Sequence, residues 1–108
     1  MVGKAYDLTL WLIQKVENFP RSYRFSVGDR IVSNGLDLLM TLVRCAYSSD
    51  KASLLESASA RANELRYLIR MAKDLHAINI EAYGFSTGGV EEIGRMIGGW
   101  QKSVARRA

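Results

Sequence analysis

The sequence predicts an all-α protein: an antiparallel up-and-down four-helix bundle that uses residues 1–108 as a single domain. Three observations predict it. Apolar residues recur every three or four positions in four separate runs, which is the period of a helix face. Pro20 is the only proline, so no later run is broken by a ring that lacks an N–H. No stretch alternates apolar and polar residues as a half-buried strand does. A chain of 108 residues, 48% hydrophobic and 24% charged, suits one soluble core and no second. Short links between amphipathic helices make neighbours antiparallel.

The first helix is predicted over residues 4–18. Leu8, Leu12 and Val16 step by four, Ala5 and Phe19 extend that row, and Leu10 and Ile13 widen it. The run stops at Phe19-Pro20, because the residue before a proline is pushed out of the helical region. The link from Pro20 to Phe25 interleaves Arg21 and Arg24 with Tyr23 and Phe25. Such a stretch has two readings: a phosphate-contacting segment, or a loop pinned by its aromatic rings.

The second helix is predicted over 27–48, with Ser26 as its cap and Asp29 three residues on. Ile31, Gly35, Leu38, Leu42 and Cys45 form its buried row. Leu36, Leu39, Met40, Val43 and Ala46 add more apolar surface than an edge helix of a small monomer needs. The helix is therefore central or shared with another subunit, and Leu38 and Leu42 are expected packing residues. The third helix is predicted over 51–76 behind Asp50, with Leu54, Ala58, Ala62, Leu65, Ile69 and Ala72 buried and Leu68 and Leu75 flanking. Arg61, Arg66, Arg70 and Lys73 fall on its other side.

The segment 77–87, AINIEAYGFST, is read as a link with room for a short helical turn. The fourth helix is predicted over 88–105, capped by Ser86 or Thr87, with Val90, Ile93, Ile97, Trp100 and Val104 as its core row. Glu91 and Glu92 suit its positive start, and Arg106 and Arg107 suit its negative end. Six of the nine glycines fall between Gly84 and Gly99. Each mid-helix glycine costs about 1 kcal/mol relative to alanine. The expected compensation at Gly94 and Gly98 is close approach of another backbone, or room for a bulky side chain such as Trp11.

Several functions are disfavoured by composition. Cys45 is alone and sits in an apolar run, so it reads as a small buried hydrophobe in a reducing or indifferent compartment. The opening residues, MVGKAYDLTLWLIQKVENF, are too broken by Asp7, Gln14, Lys15 and Glu17 for a signal peptide or a membrane span. A cytoplasmic protein with no membrane contact is expected. There is no HExxH and no CxxC. FSTGGVEE lacks the lysine and the preceding strand of a phosphate loop. His76 is the only histidine, so the Glu-x-x-His pairs of a bundle metal site cannot form. No catalytic residue, metal or cofactor is expected. What remains is basic surface: a net charge of +4, pI near 9.5, with Arg21, Arg24 and Arg30, then Arg66, Arg70 and Lys73, then Arg95, Lys102 and Arg106. The last three are seven and four apart, so one helical face holds them. A stripe merged from the third and fourth helices would bind phosphates by charge without reading bases. A purely protein-binding surface fits the same residues.

Three segments carry a family resemblance: FPRSYRFSVGDRI (Phe19 to Ile31), ELRYLIRMAKDL (Glu64 to Leu75) and EEIGRMIGGWQKSV (Glu91 to Val104). Together they resemble small four-helix-bundle proteins that include those encoded in intervening sequences of 23S ribosomal RNA genes. The same family includes Avd, the accessory variability determinant of diversity-generating retroelements. The resemblance implies a non-enzymatic, basic, pentameric ring that binds nucleic acid and a reverse transcriptase during mutagenic retrohoming, the polymerase chemistry belonging to the transcriptase. A five-membered ring of this chain would carry about +20. By motif, Arg66, Arg70, Arg95 and Lys102 become candidate contacts to enzyme or nucleic acid, with Arg21 and Arg106 beside them. Gly94, Gly98 and Trp100 become structural or oligomer-packing residues. The alternative implied by the ribosomal-insert branch is a homo-oligomeric scaffold for protein interaction.

Overall fold

A computed structural model describes residues 1–107. Four long helices make up the fold: α1 (Val2–Val16), α3 (Asp29–Tyr47), α4 (Lys51–Asp74) and α5 (Ile80–Arg107). A short α2 (Arg21–Tyr23) runs through a π-helical turn, Arg24–Gly28, directly into α3. Helix α1 packs on α3, α3 on α4, α4 on α5, and α5 returns to α1, which closes a four-helix bundle. The molecule measures 47 × 21 × 19 Å. Its long axis is set by α5, whose 28 residues span about 42 Å at 1.5 Å each.

The core is the set of in-phase rows that the periodicity marks out. Ala5, Leu8, Leu12, Val16 and Phe19 are buried from α1 and its exit. Ile31, Leu38, Leu42 and Cys45 are buried from α3, and Ala58, Ala62, Leu65, Ile69 and Ala72 from α4. Val90, Ile93 and Ile97 complete the core from α5. Two expectations are corrected here. Leu55, not Leu54, is fully buried at the start of α4, and Leu10 is 45% exposed instead of widening the buried row of α1. Each misplaced residue lies about 100° round the helix from its neighbour, at the edge of the apolar arc, where only the crossing helix decides burial.

The helix ends differ more. The stretch after Pro20 is helical, not a loop. Tyr23 and Arg24 both donate backbone N–H bonds to the Pro20 carbonyl, since proline is well suited to the first turn of a helix. Gly28 is buried in the π turn because a Cβ there would stand 2.8 Å from Val16 Cγ1. Ser26 does not cap α3; its hydroxyl donates to the Tyr23 carbonyl inside that turn. Asp50 precedes α4 without a side-chain capping bond.

Helix α4 ends where His76 adopts φ 62°. There the Ala77 N–H bonds to the Ala72 carbonyl and the His76 N–H to the Lys73 carbonyl, the paired bonds that close a helix at a left-handed residue. Helix α5 starts eight residues earlier than the glycines suggest. Asn79 Oδ1 accepts the Ala82 N–H at 2.8 Å, as an N-cap does. Ala82 and Ser86 then lengthen the buried row of Val90, Ile93 and Ile97. Ser86, expected as a cap, lies mid-helix and donates to the Ala82 carbonyl at 2.8 Å.

Candidate nucleic-acid interface

The expected basic residues sort by whether a neighbour already neutralises them. Arg61 reaches Asp37 and Glu64, both at 3.8 Å, so it joins α3 to α4. Lys73 lies 3.5 Å from Asp74 and 4.7 Å from the centre of the Tyr83 ring, so it holds α4 against α5. By contrast Arg21, Arg66, Arg70, Arg95, Lys102 and Arg106 are exposed and form no ion pair among the described residues.

Five of these six cations lie on α4 and α5. Arg66 and Arg95 line one open groove of about 720 Å³ between the two helices. Arg70 is one turn beyond Arg66, and Lys102 and Arg106 continue the outer face of α5 past Arg95. Arg21, on α2, does not line this groove. The groove is not uniformly basic, because Glu56 and Glu91 also line it. Its walls are otherwise small and polar (Ser59, Ala60, Asn63, Gly94 and Gln101), which leaves the α5 backbone open to solvent.

Within the single chain, the space around the α5 glycines is open. A Cβ at Gly84, Gly88, Gly94, Gly98 or Gly99 would meet nothing within 4 Å. Among the described residues of one chain, no backbone approaches Gly94 or Gly98. Trp11 packs instead on Phe85, ring centres 4.9 Å apart. Among the described residues, Gly89 is the one α5 glycine that faces a neighbour, with Leu8 Cδ1 3.2 Å from the Cβ position. Trp100 is half-buried under Lys51, whose ammonium lies 5.7 Å from the ring centre. Leu38 and Leu42 lie in the bundle's own core.

Exposed apolar side chains also stand on α1 and α3, and the surplus apolar surface expected on the second helix accounts for Leu36 and Met40. Tyr6 and Leu10 on α1 and Leu36, Met40 and Tyr47 on α3 are each 40% exposed or more. Tyr6 and Leu10 are four apart, and Leu36, Met40 and Tyr47 step by four and seven, so each set follows one helical stripe. The signal was present in the surplus apolar width of the second helix, but period alone does not say which flank a neighbour covers.

Cys45 is a core residue. Burial pushes its thiol above the ordinary value of 9.0, against a smaller opposing pull from the Lys51 charge. Lys51 Nζ donates to the Cys45 carbonyl at 2.8 Å, which ties the α3 end to the α4 start. The described residues contain no cluster of three His, Cys, Asp or Glu side chains able to hold a metal. None of their helices is long and apolar enough to cross a membrane.

The family model described as bAvd-like matches residues 1–104. The chain belongs to the bAvd-like family. No curated protein and no solved structure gives a significant match. Membership spans all four long helices of the bundle. Avd-like proteins are a family of non-catalytic accessory proteins.

Proposed function

We propose that this protein is the accessory subunit of a diversity-generating retroelement, a basic scaffold that holds template RNA or its DNA copy beside a reverse transcriptase. The observation that carries this reading is the family match across residues 1–104. The cations left unpaired on α4 and α5 support it. In this reading Arg66, Arg70, Arg95, Lys102 and Arg106 contact phosphates or acidic side chains of the transcriptase, and Arg21 adds a separate contact near α2. The binding is electrostatic and sequence-tolerant. The protein is non-enzymatic and cytoplasmic, and its helices follow an antiparallel, up-and-down course.

The scaffold is a homo-oligomer, with five subunits as the family resemblance implies. The apolar band of Tyr6, Leu10, Leu36, Met40 and Tyr47 supports self-association. Each of these five side chains is 40% exposed or more, apolar surface that a partner would bury. Using the α1–α3 side for assembly leaves the α4–α5 side for ligand.

Size-exclusion chromatography with light scattering tests this reading, run with and without a structured RNA at two salt concentrations. A mass near five subunits and an RNA complex that weakens steeply with salt are expected. Alanine at Arg66, Arg95 and Lys102 should lower the salt slope by about one for each phosphate that is no longer neutralised. A self-associated protein indifferent to RNA would instead favour a protein-interaction scaffold of the ribosomal intervening-sequence type. A monomer that ignores RNA would refute both.

A further inference from the structure

Two open depressions lie side by side along the outer seam between the α3 entrance and α4. One is lined by Phe25, Val27, Arg30, Leu68 and Met71, the other by Arg30, Asn34, Glu64, Tyr67 and Leu68. They meet at Arg30 and Leu68. Phe25 is 69% exposed and Tyr67 62%. Neither ring packs on another aromatic or lies under a cation among the described residues. The fold therefore leaves two aromatic rings in water with an unpaired guanidinium from the residue between their depressions.

Of the two acids at this seam, Glu64 is already occupied. Glu64 accepts from Asn34 Nδ2 at 3.1 Å and lies 3.8 Å from Arg61. Asp29 lines the Phe25 depression beside Arg30 and forms no ion pair among the described residues. Arg30 is the cation that lines both depressions.

Exposed rings interleaved with a guanidinium suit one ligand chemistry above others. Every nucleobase has a π face that stacks on an aromatic side chain whatever its sequence, and the strand's phosphates pair with arginine. A base inside a duplex has both faces covered by its neighbours, so only unpaired bases can use the rings. We propose that this seam binds a single-stranded stretch of nucleic acid, with Phe25 and Tyr67 stacking on unpaired bases and Arg30 holding the phosphate between them. From Glu64 to Met71 the seam follows α4 for about 10 Å, room for about three bases at a spacing of about 3.4 Å. The inference rests on the nucleic-acid reading above and adds a preference that phosphate contacts alone do not create.

The test compares the intact protein with Phe25→Ala and Tyr67→Ala, using fluorescence anisotropy against a twelve-nucleotide oligouridine and a blunt duplex of equal length across a salt series. Each alanine variant should weaken oligouridine binding about tenfold at every salt concentration. The log–log salt slope and duplex binding should stay unchanged, because every phosphate-binding cation is kept. Tyr67→Phe, which keeps the ring, should bind as the parent does. Both positions are exposed, and circular dichroism checks that the variants remain folded. Alanine variants that bind oligouridine normally, or lose single strand and duplex equally, overturn the seam while salt-sensitive binding by the parent protein still supports the scaffold. A parent protein that binds neither ligand overturns both.

Discussion

Replacing Gly94 and Gly98 together by alanine should make the bundle more stable. Both lie inside α5 with helical backbone, and a Cβ at either would meet nothing within 4 Å. The substitution then costs no steric energy in the monomer and removes the conformational freedom that glycine loses on folding. Helix propensity puts the gain at about 0.8–1 kcal/mol per site, hence about 1.6–2 kcal/mol for the pair. For a domain of this size about 1 kcal/mol moves the melting temperature by about 4 °C, so a rise of about 6–8 °C is expected by circular dichroism. Gly28→Ala is the internal contrast. Its Cβ would stand 2.8 Å from Val16 Cγ1 and 3.3 Å from the Tyr23 carbonyl oxygen, and overpacking of that kind costs about 1–3 kcal/mol. A fall in melting temperature for the Gly94, Gly98 pair, or a smaller assembly by light scattering, would refute the view that these glycines face solvent. It would mean that a second chain packs against the bare α5 backbone.

Other outcomes follow from single residues. Leu55→Ala should cost about 2–5 kcal/mol in urea unfolding, as core truncations do, and Leu54→Ala markedly less, because only Leu55 is fully buried; equal losses would misplace α4 in the bundle. His76→Gly should raise stability by about 1 kcal/mol, because glycine holds a left-handed helix end without Cβ strain. A lower melting temperature would show that the imidazole contributes something the backbone does not. Cys45 should resist a thiol reagent in the native protein and react at the unfolding rate. Its thiol pKa is raised by burial, so the protein should be pH-insensitive through this group at neutral pH. Above about pH 9 it should lose stability, since the unfolded chain releases the proton first; Cys45→Ala should remove that loss.

Periodicity was enough to find the bundle because burial in a helix is a repeating property. Ala5, Leu8, Leu12 and Val16, or Ile31, Leu38, Leu42 and Cys45, can be read in phase without knowing what they touch. The segment 77–87 was misread for a matching reason. Gly84, Gly88 and Gly89 lower helix propensity locally, but Ala82 and Ser86 continue the buried row of α5, and packing along that row outweighs a weak local preference. The basic residues were legible as residues and not as a surface. Arg61, Lys73 and Arg66 all look alike in sequence, yet the first two are held by Asp37, Glu64, Asp74 and Tyr83 while Arg66 is free.

By itself the sequence determined the helical class, most residues of the core and the family, because each depends on residue type and spacing along one chain. Only the tertiary structure decided which cations stay unpaired, which glycines face open space, and that Phe25, Arg30 and Tyr67 share one seam. Those properties belong to pairs of helices, and the distance between two side chains on different helices is set by how the helices cross, which no single helix encodes.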